Sequence, residues 1–332
     1  MINVAIVGAG GIARRHVEAL GKLANVRIVA VMDIVPERAH SMATAVGATA
    51  YSSIDDCLER ADVVYVLTPP STHRALCLRA MEAGKHVMCE KPIASSIPDA
   101  EAIVAGAHRY NVKLMIAFNM RFRKAGLMLK QAFDSGKLGR VYNFWIHRMG
   151  PSVSGYNWRT DPQLLCGVAI ESMSHDIDQI RWIAGEIADV RATVFESRSD
   201  LPGYDTDANV ALSLANGGMA VLHVSWASPL GHNARGLIGT EGAVMVDGPN
   251  MWDWQYFHTK TTDMLHEEIS VINDMLATTD SYLEETTHFI ECVENNTKPA
   301  ITGEDGLKAL RVSHAILQSG REGVVVKTST EC

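Results

Sequence analysis

The chain has 332 residues, 47 % of them hydrophobic and 20 % charged, with a formal net charge of −8 from 30 basic and 38 acidic side chains. That length suggests two domains and a sizeable core needing no disulfide or metal staples. The apolar content argues against disorder, and the acidic balance against a nucleic-acid-binding surface, which needs concentrated Lys and Arg. No stretch approaches the roughly 20 apolar residues of a membrane helix. Met1–Val7 carries no basic leader and enters a strand at once. The six cysteines (Cys57, Cys77, Cys89, Cys166, Cys292, Cys332) show no Cys-x-x-Cys spacing, as expected of free thiols in a reducing compartment. A soluble, cytoplasmic protein is expected, with neither nucleic acid nor membrane as partner.

Residues 1–118 alternate short apolar runs with helical segments. Ile2–Val7, Val26–Met32, Asp62–Leu67, His86–Cys89 and Lys113–Phe118 show little period-two alternation, as strands covered on both faces do. Between them, Gly11–Lys22, Pro36–Val46, Ser71–Ala83 and Pro98–Tyr110 read as helices. Pro36 and Pro98 suit a first helical turn; Gly47 and Gly84 suit the position after the last. This alternation predicts an α/β domain, a doubly wound parallel sheet with helices on both faces. After residue 120 longer strands take over: Val141–Met149, Ala188–Arg198, Ala208–Leu214, Met219–Ser228 and Ala243–Asp247. In Met219–Trp226, Ala220, Leu222, Val224 and Trp226 share one face and His223 and Ser225 the other, the pattern of a half-buried antiparallel strand. Asn216-Gly217-Gly218 marks a hairpin turn. Helices are predicted over Asp280–Asn295 and Glu304–Gly320, while residues 249–280, with Trp252, Trp254 and Tyr256, receive no assignment. The expected domains are 1–120 and 121–332, with the closing helices able to pack back on the first.

Three motifs carry chemistry. Gly8-Ala9-Gly10-Gly11-Ile12-Ala13 follows a predicted strand and opens a predicted helix, and Asp33 ends the second strand. Gly8 allows the tight turn. Gly10 and Gly11 let backbone approach a pyrophosphate at the helix N-terminus. Asp33 can accept hydrogen bonds from an adenine ribose and would repel a 2′-phosphate, and Ile34 and Val35 bring no cation. NAD is therefore expected as the cofactor ahead of NADP. Glu90-Lys91-Pro92 directly follows the predicted strand His86–Cys89, at the end where ligands bind in an open parallel sheet. Glu171, His175 and Asp178 share one helix face if the segment is helical. Flanking carboxylates would fix the imidazole tautomer and favour proton transfer near neutral pH. In the plainer readings of that segment, Ser174 caps the helix and Asp178 pairs with Arg181. Glu171 and His175 could also ligate zinc, but no further His/Cys cluster completes a site, so no metal is expected. Thr68, Pro69 and His73 follow the predicted strand Asp62–Leu67, and Asn119 and Arg121 follow Lys113–Phe118. Trp158 and Arg159 sit in a polar loop. These are candidate lining residues, against helix entry, a salt bridge or core packing.

On these residues the sequence resembles the Gfo/Idh/MocA oxidoreductases, named for glucose–fructose oxidoreductase and inositol dehydrogenase. The resemblance covers nearly the whole chain, including the Glu90-Lys91-Pro92 tripeptide, the His175 segment and Gly303-Glu304-Asp305-Gly306. It implies a Rossmann domain followed by an α+β domain with a large open, mostly antiparallel sheet. One face of that sheet would join subunits into a homodimer or homotetramer. It implies NAD(P)-linked oxidation or reduction of a small polyhydroxylated substrate, with Lys91 and His175 near the reacting carbinol. The cofactor contacts would be Gly8, Gly10, Gly11, Ile12, Asp33, Thr68, Pro69, His73, Glu90 and Lys91. The substrate contacts would be Lys91, Asn119, Arg121, Trp158, Arg159, Glu171 and His175. Two departures stand out: Glu171 where the family often has Asp, and Val168 where it often has Gly. The expected activity is an NAD-dependent dehydrogenase of a sugar, cyclitol or related polyol. Lys91, His175 and Glu171 would be catalytic, either Lys91 or His175 taking the proton. The alternatives are an NADPH-dependent reductase of a keto-sugar or unsaturated ring, and a non-catalytic NAD-binding sensor.

Overall fold

The computed structural model describes residues 1–151, 158, 161, 164, 166–200, 203–251, 254–261, 268–271 and 280–328. The chain divides into two compact units, Met1–Asn119 with Ser281–Leu310, and Met120–Asp280 with Arg311–Cys332.

The first unit is built on a six-stranded sheet of β1 (Ile2–Val7), β2 (Val26–Met32), β3 (Thr49–Tyr51), β4 (Val63–Val66), β5 (His86–Cys89) and β6 (Leu114–Ile116). All neighbours are parallel, in the order β3-β2-β1-β4-β5-β6. The direction of winding reverses between β1 and β4, and such a switch point opens a crevice beyond the strand carboxyl ends. Val4–Val7 and Val63–Val66 are fully buried, which explains why these strands read as unbroken apolar runs. The connecting helices are α1 (Gly11–Leu20), α2 (Pro36–Val46), α3 (Ile54–Leu58), α4 (Pro70–Glu82) and α5 (Ile97–Arg109). Pro36 and Gly47 bound α2 as expected, Gly47 adopting the left-handed conformation (φ 69°). The short β3 and α3 escape the sequence reading, being too short to show a period.

The second unit carries α6 (Lys124–Asp134), α7 (Met173–Ala184) and a nine-stranded sheet. Its strands are β7 (Val141–Met149), β8 (Ile187–Phe195), β9 (Asp207–Leu214), β10 (Met219–Ser225), β11 (His232–Gly239), β12 (Gly242–Gly248), β13 (Tyr256–Thr261), β14 (Glu268–Val271) and β15 (Val326–Lys327). They run β14-β13-β12-β11-β7-β10-β9-β8-β15, antiparallel throughout except for the parallel pair β7–β10. The predicted β9–β10 hairpin is present: Gly217 turns with φ 82°, and Gly218 N–H donates to the Asn216 side chain at 3.0 Å. On β10, Ala220, Leu222 and Val224 are fully buried while Met219 and Val221 face out. Two helices end the regular structure, α8 (Ser281–Glu294) in the first unit and α9 (Gly303–Glu322), whose residues belong to the first unit up to Leu310 and to the second from Arg311. Among the described residues no helix is long and apolar enough to cross a membrane.

Candidate active site

In the first unit the candidate cofactor residues gather at the carboxyl ends of β1, β2, β4 and β5. Gly8 (φ 98°) leaves β1 in a conformation that only glycine adopts freely, and a Cβ there would lie 2.6 Å from the Leu67 carbonyl. Glycine thus lets the ends of β1 and β4 close on each other. Gly10 precedes the first turn of α1 and offers no side chain to cap it, so the orphan N–H groups of that turn stay available. A Cβ on Gly10 or Gly11 would meet nothing within 4 Å. An open, uncapped helix N-terminus is what a pyrophosphate requires. Asp33, only 8 % exposed, accepts N–H bonds from Ala9 (2.7 Å) and Val35 (2.8 Å), one on each oxygen. Each oxygen keeps a second lone pair, which suits a ribose diol. These residues fit a dinucleotide.

Lys91 is half-buried one residue beyond Glu90, which extends β5 by donating its N–H to Val66 at 2.9 Å. The Lys91 N–H donates to a Glu90 carboxylate oxygen at 3.0 Å, and the other oxygen lies 3.0 Å from Nε2 of His16. The Lys91–Pro92 peptide is cis. Thr68 and Pro69 lead into α4, and the Thr68 hydroxyl accepts from Thr72 at 2.7 Å. His73, expected among the cofactor contacts, turns its ring inward and is fully buried. Its Nε2 lies 2.8 Å from the Thr68 carbonyl, and its Nδ1 3.1 Å and 3.2 Å from the carbonyls of Pro92 and Ile93. Burial holds its pKa below the usual histidine value, against the opposing pull of those carbonyls and Glu90. With no surface to present, His73 instead fastens the loop after β4 to the loop after Lys91. Asn119, at the end of this unit's first segment, lies 3.5 Å from the Ser281 hydroxyl through its amide nitrogen.

In the second unit, Val168–Ser172 forms one π-helical turn that runs into α7. Glu171 lies in the π turn, and His175 and Asp178 both lie within α7. Glu171 and His175 are buried, each keeping a small exposed fraction. Asp178 receives a two-pronged bond from Arg121 (2.8 and 2.6 Å), and Arg181 donates to Glu186. Ser174 does not cap the helix; its hydroxyl donates to the Glu171 carbonyl at 3.0 Å. Trp158 is half-buried, and Arg159 and Trp252 lie outside the described residues. Among the described residues no group of three His, Cys, Asp or Glu side chains gathers around a metal-sized position.

The family model described as "Oxidoreductase family, NAD-binding Rossmann fold" (GFO_IDH_MocA) matches residues 2–118, and that of the "GFO/IDH/MocA C-terminal domain" matches residues 127–245. The chain belongs to the Gfo/Idh/MocA oxidoreductase family. It is thus an NAD-binding oxidoreductase. It is 29 % identical to the inositol 2-dehydrogenase of Rhizobium meliloti, over 97 % of each chain. It is 27 % identical to the myo-inositol 2-dehydrogenase of Thermotoga maritima, over 98 % of each. Among solved structures it resembles the aldose–aldose oxidoreductase of Caulobacter crescentus complexed with glycerol. The TM-score is 0.88 at 26 % identity, covering 98 % of this chain and 99 % of that one.

Within this Gfo/Idh/MocA framework several residues that the sequence did not single out support the candidates. The neighbour of His175, Asp176, is fully buried and receives Arg148 on one oxygen (Nε at 3.2 Å) and Arg235 on the other (3.1 Å). Arg148 also donates to the Ser172 carbonyl (3.0 Å) and hydroxyl (2.9 Å). Arg235 reaches Gln179 and Asn233 and stacks on Trp254, 4.8 Å from the ring centre. Burial pulls the Arg235 pKa down to about 10, with Asp176 opposing, so it stays charged near neutrality. The network pins α7 to the inner face of β7 and β11. Its signal in the sequence is a lone Arg inside each of two otherwise ordinary strands.

Proposed function

We propose that this protein is an NAD-dependent dehydrogenase that oxidises a carbinol of a sugar, cyclitol or related polyol. The observation that carries the reading is the first unit's cluster of Gly8–Gly11, Asp33 and Lys91 at adjoining strand ends. The inositol dehydrogenases to which the chain is similar support the substrate class. NAD, when bound, takes up the hydride leaving the substrate carbon. Gly8, Gly10, Gly11 and Ile12 hold the pyrophosphate against α1, Asp33 the adenine ribose, and Thr68, Pro69, Glu90 and Lys91 border the rest of the cofactor. His175 accepts the carbinol proton as general base. The Lys91 ammonium stabilises the developing alkoxide, an electrostatic role. Glu171 orients His175 or binds a neighbouring hydroxyl. Asn119, Arg121 and Trp158 are further candidate substrate contacts, the charge of Arg121 being engaged by Asp178. The outer face of the nine-stranded sheet joins subunits.

The test is a panel of inositols, hexoses and sugar acids, followed by the absorbance of reduced nicotinamide. Lys91→Ala and His175→Ala are each expected to lower kcat by roughly 10²–10⁴-fold, far more than they weaken the binding of NAD. Wild-type-like turnover in either variant removes that residue from the chemistry. Loss of one limb of the pH–rate profile in only one variant identifies the proton acceptor. Tight NAD binding with no turnover across the panel would favour a nucleotide sensor.

A further inference from the structure

His16 lies on α1, four residues beyond Ile12 and so on the same helix face as the first turn of the cofactor cradle. It is fully buried. Its ring packs edge-on against Tyr65 (centroids 5.6 Å apart, 66° between planes) and Tyr282 (5.3 Å, 85°). With the ring bracketed by the two tyrosines, Nε2 lies 3.0 Å from Glu90. Glu90 is itself buried, and a buried carboxylate needs hydrogen-bond donors to remain in place. Its donors fall on different oxygens, the His16 ring on Oε1 and the Lys91 backbone N–H on Oε2. Downstream of Lys91, the carbonyls of Pro92 and Ile93 face the ring of His73. The backbone carrying Lys91 is thus gripped on both sides, and the upstream grip is only as firm as the hold on Glu90.

We propose that His16 is a positioning residue for Lys91 and acts through the Glu90 carboxylate. The inference rests on the reading above, in which Lys91 serves the reacting carbinol. His16 touches neither substrate nor reacting atoms; it supplies the donor that fixes the carboxylate that fixes the lysine backbone. The nearest bland role is filler between Tyr65 and Tyr282, and the two roles separate experimentally. Gln places an amide nitrogen near the position of Nε2, Asn only near that of Nδ1, and Phe keeps the ring contacts without any donor.

The expected result is that H16Q stays within about threefold of wild-type kcat, while H16N and H16F lose about tenfold or more, with the Kd for NAD little changed in all three. In a double-mutant cycle the cost of H16N should largely vanish once Glu90→Gln is present, because the two residues act in series. A second readout needs no turnover: reductive methylation with ¹³C-formaldehyde labels the lysines, and the signal lost in Lys91→Arg is that of Lys91. That signal should match wild type in H16Q and shift or broaden in H16N and H16F. If no polyol is oxidised by the wild type, the functional reading fails and the Lys91 signal still decides this one. Should H16N not fold, H16F carries the same comparison with the ring packing intact. An unchanged Lys91 signal in H16F, full additivity with Glu90→Gln, or a loss in H16Q as large as in H16N would each overturn the proposal.

Discussion

Asp33 does two things at once, and its substitution separates them. Its carboxylate ties the glycine turn to the second strand by accepting from Ala9 and Val35. In the function proposed above the same charge would lie beside the adenine ribose and favour a diol over a phosphate monoester. Asp33→Ser should therefore weaken NADH by about tenfold or more and raise the affinity for NADPH relative to NADH. Titration of nucleotide fluorescence measures both, and an unchanged ratio would show that discrimination lies elsewhere. At this scale the sequence was most legible where chemistry is local: the glycines, Asp33 and Lys91 are recognisable because they sit at strand ends. His73 was not, since only the fold reveals that its ring faces three backbone carbonyls. His16 gave no signal at all. Its partner lies 74 residues away, and a histidine in an amphipathic helix looks like any other.

The helix that carries His175 depends on how its start is held. Asp205, beyond β8 in the chain, accepts the Ala169 N–H on its carboxylate (2.6 Å) and the Val168 N–H on its carbonyl (2.8 Å). Gly167 (φ 77°) permits the approach, because a Cβ there would collide with that carboxylate. Burial pushes the Asp205 pKa up from 3.8 to about 7, the Ala169 N–H opposing. Between those values the folded protein holds a proton that the unfolded chain has released. This contribution to stability is therefore complete below pH 3.8 and is lost as pH rises through about 7. Asp205→Asn keeps an acceptor for Ala169 and removes the titration. Between about pH 5 and pH 8 the wild type should lose more in Tm than D205N, by a few degrees; thermal melts at the two values check it, and parallel shifts would deny Asp205 the role. The same element explains what the pattern could not show. The π turn has no sequence period of its own. β11 escaped because its inward positions hold Asn233 and Arg235, so the apolar alternation that exposed β10 is inverted there. Strands β1, β2, β5 and β7, by contrast, were legible to the residue: β1 and β5 are buried almost throughout and β7 alternates, while β2 reads as an unbroken apolar run but for Arg27.

For the whole molecule, the nine-stranded sheet presents one face to α6 and α7 and leaves the other outward. On that outer face Phe195, Met219 and Val221 are 66, 48 and 46 % exposed, and Trp145 stands directly opposite Val221 across β7 and β10. Met219, Val221 and Trp145 adjoin, with Phe195 apart from them near the end of β8, and exposed apolar surface of this kind marks an interaction face. A second copy of the chain is the proposed occupant, and a two-fold contact would set each Trp145–Val221 patch near its own symmetry mate. Histidines border the patch. His147 stacks on His223 (centroids 4.8 Å apart) and meets His232 edge-on (5.3 Å), while His232 Nε2 lies 3.0 Å from Asp247. Asp207 on β9, Tyr256 and His258 on β13 and, farther off, Asp189 and Arg191 on β8 also lie on this face. Burial lowers the His147 pKa below 6.5, and His223 and His232 lower it further. A base with a depressed folded pKa contributes stability above 6.5 that is lost as pH falls through that value, and covering the face deepens the depression. Sedimentation velocity should therefore show an assembled wild type near neutral pH that dissociates toward about pH 5. His147→Phe should flatten that dependence, because it keeps the ring and removes the proton. Val221→Arg should dissociate the assembly at neutral pH, since each copy would bury an unpaired cation against apolar surface. Because Val221 belongs to the second unit and the cofactor cradle to the first, the Kd for NAD should survive in V221R. A wild type that sediments as a monomer at every pH and at micromolar concentration would leave this face without its proposed partner.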